Sequence, residues 1–214
     1  VGQTASCGAV VTVLDDTDPT VATRNITVEL DASGMATITP AMVDNGSSDN
    51  CAIQSHALDI TTFDCGDVGH NTVQLTVTDV NGNSASKTAD VLVKDTSAPG
   101  ITSVAANPSM LWPPDHRMQP VTVAISSSDN CPGTTCRIIL VSANEPLNGP
   151  GDGNSAPDWE ITGDGTVSLR AERSGNGTGR VYTITVECTD ATGNKTRSTT
   201  SVAVPHDLRT LGTD

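Results

Sequence analysis

The sequence predicts an all-β protein built from two tandem β-sandwiches. Short runs of Val, Ile, Leu and Thr are interrupted about every ten residues by Gly, Asn, Asp or Pro, which is typical of sandwich strands and their turns. The pentapeptide SSDNC occurs at residues 47–51 and again at 127–131, and its two cysteines are 80 residues apart (131 − 51 = 80). A chain of 214 residues accommodates two domains with that repeat length.

Individual strands are marked by the alternation of apolar and polar residues. This pattern is expected where one face of an antiparallel sheet packs on the core and the other face is solvated. Because aromatic residues make up only 2% of the chain, the cores must be aliphatic. The predicted inward-facing sets are Ile26, Val28, Leu30; Val73, Leu75, Val77; Ala89, Val91, Val93; Val121, Val123, Ile125; and Tyr182, Ile184, Val186.

Three landmarks recur in the same order in both halves. They are a linker (LDDTDP around Asp16, VKDTSAP around Asp95), the SSDNC loop, and a hairpin (TDVNGN from Thr78, TDATGN from Thr189). The linkers are 79 residues apart (95 − 16), whereas the hairpin aspartates are 111 apart (190 − 79). The second domain therefore contains an insertion between its SSDNC loop and its last hairpin, and part of it is Gly-rich.

The first fourteen residues, VGQTASCGAVVTVL, are similar to NGNSASKTADVLVKD at 81–95, the end of the first repeat. They are interpreted as an orphan strand that ends a preceding repeat, and the alternative is that they add as a strand to a neighbouring chain. The predicted organisation is this terminal strand at 1–14, a first domain at 15–95, a longer second domain with the Gly-rich insertion at 96–207, and a tail at 208–214.

Longer motifs give a family resemblance. Residues 16–95, with DTDPTV, NITVELDASGMATITPAMVDNGSSDNC and TTFDCGDVGHNTVQLTVTDVNGNSAS, resemble the hyalin-repeat type of immunoglobulin-like domain of large secreted bacterial proteins. Residues 96–207, with LWPPDHRMQPV, APDWEITG and RAERSGNGTGRVYTITVECTDATGN, are similar to a longer relative that often follows such repeats. The resemblance implies tandem Greek-key sandwiches that are extracellular and noncatalytic. One departure is that the family's closing strand often carries a cysteine, supplied by Cys7 in the orphan strand but replaced by Lys87 in the first domain.

The acidic loops predict calcium sites. In an immunoglobulin-like sandwich the incoming linker, the SSDNC loop and the last hairpin lie at one end. Clustered carboxylates need a cation or hydrogen-bond donors, and calcium accepts six to eight oxygen ligands. The alternative is that each Asp caps its own turn. The candidate ligands are Asp16, Asp18, Asp49, Asn50, Asp79 and Asn83 in the first domain, and Asp95, Asp129, Asn130, Asp190 and Asn194 at the joint with the second.

The six cysteines, with no zinc-type C-x-x-C pair, indicate an oxidising compartment. A Cys51–Cys65 bridge is predicted within the first domain. In the second domain Cys131, Cys136 and Cys188 form an odd set, so one should be free. Pairing of Cys136 with Cys188 is favoured, and Cys131 with Cys136 remains open.

Several function classes are excluded by composition and motifs. A formal net charge of −14 excludes binding to a nucleic-acid backbone. No apolar run of membrane-spanning length is present. The motifs of hydrolases, zinc proteases and nucleotide-binding enzymes are absent, so we expect no enzymatic activity. Together with the cysteines, these features predict a secreted or cell-surface protein.

The resulting hypothesis is a structural or adhesive segment of a larger secreted or surface protein, stiffened by calcium. Its partners would be neighbouring repeats and a cell-surface or matrix protein or glycan. One alternative is a carbohydrate-binding accessory module with Trp112 and Trp159 as stacking platforms, although both rings are also compatible with packing over sandwich edges. Another is a filament subunit or homo-oligomer in which residues 1–14 complete another chain's sheet.

Overall fold

The structure is a computed structural model that describes residues 2–147 and 155–207. The chain divides into two compact units, Val1–Asp95 and Thr96–Asp214, here called unit 1 and unit 2. The predicted tail at 208–214, and residues 148–154 of the Gly-rich insertion, lie outside the described residues. Within the described ranges, no helix is long and apolar enough to cross a membrane.

Unit 1 is a β-sandwich in which one layer is a four-stranded sheet of order β1-β6-β5-β3 and the other contains the strand pair β2-β4. The first strand, β1, runs parallel to the last, β6, and the other pairs are antiparallel. A short helix, α1, precedes the SSDNC loop. The bounds are β1 Ile26–Glu29, β2 Ala36–Thr37, α1 Pro40–Val43, β3 Ile53–Leu58, β4 Thr62–Phe63, a 3-10 turn Cys65–Asp67, β5 Gly69–Asp79 and β6 Ser84–Lys94.

The predicted alternation produces the core of unit 1. Val73, Leu75 and Val77 on β5 are all 0% exposed, and the inward set on β6 is buried as well. The intervening polar residues on these strands are mostly exposed, as expected for a sheet with one solvated face. The β5–β6 hairpin turns at Gly82, whose φ of 95° is readily adopted only by glycine.

Unit 2 is a sandwich of a four-stranded sheet, β10-β11-β8-β7, and a three-stranded sheet, β13-β12-β9. This is the strand partition of a constant-type immunoglobulin domain, so the predicted fold class is confirmed. Its core contains Tyr182, Ile184 and Val186 from β12 and Val121 and Val123 from β8. The bounds are β7 Gly100–Asn107, β8 Met118–Ser128, β9 Thr135–Ala143, β10 Trp159–Gly163, β11 Thr166–Arg170, β12 Gly179–Thr189 and β13 Lys195–Pro205.

Residues 2–14 are exposed and belong to no strand. A strand is defined by hydrogen bonds to a neighbouring strand, and this segment has no such neighbour among the described residues. Its assignment as the closing strand of another repeat therefore stays a prediction.

The disulfides differ in part from the prediction. Cys136 and Cys188, the favoured pair of unit 2, are joined by a disulfide with an S–S distance of 1.96 Å. They occupy directly opposite positions on β9 and β12. Cys131 is disulfide-bonded as well, so the prediction that one of the three cysteines of unit 2 is free was wrong. Cys51 is instead an exposed free thiol, which contradicts its predicted bridge to Cys65.

The topology explains why this bridge does not form. Cys51 lies two residues before β3, whose first residue, Ile53, lies opposite Asp79 at the end of β5. Cys65 lies in the turn before β5 begins at Gly69. The two cysteines are thus separated by nearly the length of an 11-residue strand, about 30 Å, whereas disulfide-bonded Cα atoms lie within about 7 Å.

Candidate cation-binding loops

In unit 1 the linker and the SSDNC loop meet. Asp15, Asp49 and Cys51 each place one potential ligand atom within 4.8 Å of the others. The linker contributes Asp15 just before the first β-bridge, at Thr20, and the loop contributes the other two residues before β3 begins. The linker and the SSDNC loop, two of the three segments that we predicted to converge, therefore meet within this unit.

Only some of the carboxylate oxygens in this cluster accept a hydrogen bond. Asn50 Nδ2 donates to Asp15 Oδ1 at 3.1 Å, and the Cys51 amide donates to Asp49 Oδ2 at 2.9 Å. Asp49 Oδ1 is shielded from water and has no hydrogen-bond partner. Asp15 Oδ2 is shielded from water as well. A water-shielded carboxylate oxygen without a partner is costly unless a cation compensates it.

The Cys51 thiol fixes the chemistry of the cluster. Its hydrogen bond with Asp15 raises the pKa of the thiol, and desolvation and the neighbouring carboxylates raise it further. The same interaction with Cys51, followed by that with Asn50, lowers the pKa of Asp15. The raised pKa keeps the Cys51 thiol protonated at neutral pH. Since only a thiolate is a good ligand for soft metals, the cluster does not suit them. The remaining potential ligand atoms are carboxylate oxygens, which suit a hard cation such as calcium.

The last hairpin of unit 1 contacts the linker, because Asn83 Nδ2 donates to the backbone carbonyl of Asp15 at 3.1 Å. Asp79 Oδ1 accepts from the amides of Asn81 and Asn83 at 2.8 Å, and Asp79 Oδ2 accepts from Asn83 Nδ2 at 2.8 Å. Burial alone would raise the pKa of Asp79, but the hydrogen bonds from Asn83 and the turn amides outweigh burial and lower it. Asp79 therefore caps its turn, the alternative that we kept open for the acidic loops.

Unit 2 repeats this arrangement. Asp190 Oδ1 accepts from the amides of Thr192 and Asn194, and Asp190 Oδ2 accepts from Asn194 Nδ2 at 2.8 Å. Asn194 Nδ2 also donates to the Ser97 carbonyl at 3.1 Å. Burial opposes ionisation of Asp190, yet the bonds from Asn194 and Thr192 prevail and lower its pKa. The Asp-to-Asn spacing of four residues thus gives the same linker-binding turn twice.

The SSDNC loop of unit 2 also presents an unsatisfied carboxylate. Asp129 Oδ1 accepts from the Asn130 amide at 2.9 Å, while Asp129 Oδ2 is shielded from water and has no hydrogen-bond partner. A carboxylate oxygen of Asp129 lies within 4.8 Å of one of Asp190. Asp129 corresponds to Asp49 at the repeat spacing (129 − 49 = 80), so the same loop position leaves one oxygen unpaired in both units.

The other predicted ligands lie as follows. Asp16 and Asp18 are exposed and outside the Asp15 cluster. Asp95, the last residue of unit 1, is buried, and Asn130 is half-buried. Asp15 was missed because the linkers were aligned on the neighbouring aspartate. The two SSDNC loops are 80 residues apart, and the same spacing counted back from Asp95 gives Asp15 (95 − 80 = 15).

The two tryptophans do not form a matched pair of platforms. Trp112 is 44% exposed. Trp159 packs against the core of unit 2 and contacts Tyr182 edge to face, with the ring centroids 6.2 Å apart. A flat, exposed surface from both rings is therefore absent, because Trp159 is used for packing.

A buried ion network in unit 2 was not predicted. Arg180 is fully buried, and its Nη1 donates to Asp158 Oδ2 at 2.6 Å, Glu172 Oε1 at 3.2 Å and the Tyr182 hydroxyl at 3.3 Å. Burial raises the pKa of Tyr182 to about 12. The only sequence signal is the charged run RAERSGNGTGRVY, whose partner Asp158 lies on the insertion. Its position between core strands and connecting loops indicates a structural role.

Comparisons with known proteins do not identify a family for this chain. No family model and no curated protein matches the chain. Among solved structures, the chain is similar to immunoglobulin domains 1–4 of Sidekick-1 (12% identity, 86% of this chain and 48% of that chain, TM-score 0.41). It is also similar to Drosophila N-cadherin EC1-3 (14% identity, 85% of this chain and 63% of that chain, TM-score 0.43). A third similar structure is PcdhgB3 EC1-4 (14% identity, 88% of this chain and 49% of that chain, TM-score 0.41). The chain thus spans about half to two-thirds of their lengths. The class of protein defined by the strand order is a tandem pair of immunoglobulin-like β-sandwiches.

Proposed function

We propose that this chain is a noncatalytic, extracellular structural or adhesive segment of a larger secreted or surface protein, with calcium held in its linker-end loops. Unit 1 would act as a module of the hyalin-repeat type that its sequence resembles, and unit 2 as the longer relative that often follows such repeats. Its disulfide favours an oxidising compartment. Its partners would be neighbouring repeats and a surface or matrix protein or glycan.

The observation that carries the calcium proposal is the pair of unpaired oxygens at matched positions. Asp49 Oδ1 and Asp129 Oδ2 are both shielded from water and both lack a hydrogen-bond partner. Each of these two aspartates also has a carboxylate oxygen within 4.8 Å of an oxygen of another carboxylate. One such atom would be a local defect of a single loop. Two at the same repeat position indicate a site that each unit completes with a cation.

The candidate ligands in each unit come from different chain segments. In unit 1 they are the carboxylates of Asp15 and Asp49, and in unit 2 those of Asp129 and Asp190. When bound, calcium would supply positive charge that offsets the repulsion between these carboxylates, and water or backbone carbonyls would complete its shell. Extracellular modules bind calcium with dissociation constants of roughly 10⁻⁴ to 10⁻³ M.

Thermal unfolding with and without calcium tests the proposal. A ligand that binds only the folded state stabilises it by about 2.7 kcal/mol at a hundred times its dissociation constant, so the melting temperature should rise with added calcium chloride and fall in EDTA. Asp49→Asn and Asp129→Asn should each reduce this rise. Asp16→Asn is the matched control, because Asp16 is an exposed linker carboxylate outside the cluster.

The comparison must separate calcium from general ionic effects. Sodium chloride at equal ionic strength should not reproduce the shift, because screening acts on all exposed charges. A melting temperature that is the same in calcium and in EDTA, or a calcium effect that Asp16→Asn removes as strongly as Asp49→Asn, would refute the calcium site. The adhesive role is tested separately by whether beads coated with the full chain aggregate in a calcium-dependent manner.

A further inference from the structure

The outward face of the sheet β13-β12-β9 in unit 2 carries a patch of basic residues. Residues two apart on a strand share one face of a sheet, so the strand register shows which side chains are neighbours. Two adjacent cross-strand rows lie on this face, Arg137–Glu187–Arg197 and Thr135–Thr189–Lys195. The patch therefore contains three of the eleven Lys and Arg residues of a chain whose net charge is −14.

The positive charge of this patch is only partly neutralised. Lys195 Nζ donates to Glu187 Oε1 at 3.0 Å, and Arg197 Nε donates to Glu187 Oε2 at 2.8 Å. These bonds, that from Lys195 first, lower the pKa of Glu187, so its carboxylate is charged at neutral pH. Arg137 lies opposite Glu187 on β9, is exposed, and forms no ion pair with any described residue. Three cations thus share one carboxylate, and Arg137 is left available for a ligand.

A cleft beside Arg137 has the size of a small-molecule site. Its volume is about 350 Å³, and small-ligand pockets span about 300 to 1,000 Å³. Such pockets are mostly apolar, whereas the side chains that line this cleft are mainly polar or charged. The lining residues are Thr135, Cys136, Arg137, Asp164, Thr189 and Lys195. A cleft with this lining selects a polar ligand.

The backbone holds the acidic and basic walls of the cleft in place. Asp164 lies in the turn between β10 and β11, and its carbonyl accepts from the Ile138 amide at 2.7 Å, directly after Arg137. On the other side of Arg137, Cys136 is joined to Cys188 by the disulfide. Arg137 is therefore flanked by two fixed residues. A site that is ordered before binding loses less conformational entropy when the ligand arrives.

The charges in the cleft define the chemistry of the ligand. Arg137 and Lys195 favour a carboxylate through charge-assisted hydrogen bonds. An ionised Asp164 only accepts hydrogen bonds, so the part of the ligand beside it must donate, and a hydroxyl group does so without a charge that Arg137 and Lys195 would repel. Charges are screened beyond about 8 Å at physiological ionic strength, so the distant acidic residues do not cancel the local attraction.

We propose that this cleft binds an acidic sugar unit of a glycan, with the sugar carboxylate on Arg137 and Lys195 and sugar hydroxyl groups on Asp164. The proposal rests on the extracellular role given under the proposed function and names the class of glycan partner. It does not involve the calcium sites, which lie in other loops.

The test titrates the isotope-labelled full chain with sodium glucuronate in EDTA and follows the backbone amide signals by NMR. Glucuronate should shift the signals of residues 135–138, 164 and 195 to saturation. Glucose lacks the carboxylate, and acetate lacks the hydroxyl groups, so each should bind about tenfold more weakly or worse. A chain of linked glucuronate units should bind at the same residues. Equal binding of acetate and glucuronate would overturn the sugar ligand, and failure of the linked chain would overturn the glycan.

Variants of the two walls provide an independent arm. Arg137→Ala should weaken glucuronate binding about tenfold and retain the fold, because Arg137 is exposed. Arg117→Ala is the matched control, because it removes the same charge from an exposed arginine of unit 2 that pairs with Asp115 outside the cleft. Asp164→Ala removes the hydroxyl acceptor, so it should reduce the preference for glucuronate over acetate.

Equal loss of binding with Arg137→Ala and Arg117→Ala, or an unchanged preference with Asp164→Ala, would overturn the proposal. Because the titration contains EDTA, a negative result would leave the calcium sites standing. A melting temperature that does not respond to calcium would equally leave this cleft standing.

Discussion

Asn83 donates a side-chain hydrogen bond of 3.1 Å to the backbone carbonyl of Asp15, 68 residues earlier in the chain. The same amide nitrogen donates to Asp79 Oδ2 at 2.8 Å. Asn83 therefore connects the last hairpin of unit 1 to the linker segment that carries the Asp15 carboxylate. In unit 2, Asn194 connects its hairpin to Ser97 in the same manner.

The first prediction concerns this connection. Asn83→Ala removes the bond to the linker and leaves Asp79 without one of its donors, so we expect a loss of about 1 to 3 kcal/mol of stability and weaker calcium binding. Asn81→Ala is the matched control, because Asn81 is an exposed residue of the same turn. Calorimetric titration with calcium and thermal unfolding measure both effects. Equal behaviour of the two variants would contradict a role for Asn83.

The second prediction concerns the buried arginine. Arg180→Ala leaves Asp158 and Glu172 buried without their common partner, and breaking a buried ion pair from one side costs about 3 to 5 kcal/mol. Arg137→Ala is the control, because Arg137 is exposed and surface substitutions change stability by about 0.5 kcal/mol or less. Both tryptophans of the chain, Trp112 and Trp159, lie in unit 2, so their fluorescence during urea unfolding reports this unit selectively.

An arginine variant that is as stable as the control would show that the network is energetically neutral. If Arg180→Ala does not fold, Arg180→Met keeps much of the buried volume. Its stability then separates the loss of packing from the loss of charge.

The third prediction concerns the disulfide of unit 2. Cys136 and Cys188 are separated by 52 residues, and a cross-link over that distance stabilises a domain by about 4 kcal/mol in the chain-entropy model. Cys188→Ala should lower the tryptophan-monitored unfolding midpoint in urea. The control is Cys51→Ala, which removes an exposed free thiol in unit 1 and should leave that midpoint unchanged. A midpoint that Cys188→Ala does not shift would contradict the expected contribution.

The fold was predictable because the strand signal is local. Alternating sets such as Val73, Leu75 and Val77 determine which face of a strand is buried, and the repeated turns determine where strands end. The Cys51–Cys65 bridge was predicted wrongly because sequence proximity was taken as spatial proximity. Two antiparallel strands instead place these cysteines at opposite ends of the unit.

The acidic clusters were predictable only to within a residue. The recurrence of SSDNC identified Asp49 and Asp129, but which linker aspartate lies near Asp49 depends on the path of the backbone. The Arg180 network could not be predicted, because its partners Asp158 and Glu172 come from separate loops and their spacing follows no repeat. Contacts between distant segments leave no periodic signal in a single sequence.

The last prediction concerns acid unfolding. The pKa of Asp79 and of Asp190 is lowered from the ordinary value of 3.8, because the turn hydrogen bonds that favour the charged form outweigh burial. A carboxylate whose pKa is lower in the folded state than in the unfolded state stabilises the fold at pH values above its unfolded-state pKa. This contribution is lost as the pH falls through the folded-state pKa. Burial raises the pKa of Glu172, so its contribution has the opposite sign and increases as the pH falls towards 4.5.

The lowered carboxylates outnumber the raised one, since Asp15, Asp31, Asp44 and Glu187 are shifted in the same direction as Asp79 and Asp190. We therefore expect the melting temperature in EDTA to fall as the pH is lowered below about 4. Asp190→Asn should be less stable than the wild type at neutral pH and should show a shallower decline in acid, because one group that takes up a proton on unfolding has been removed. A wild-type melting temperature that rises below pH 4 would show that the raised pKa of Glu172 dominates instead.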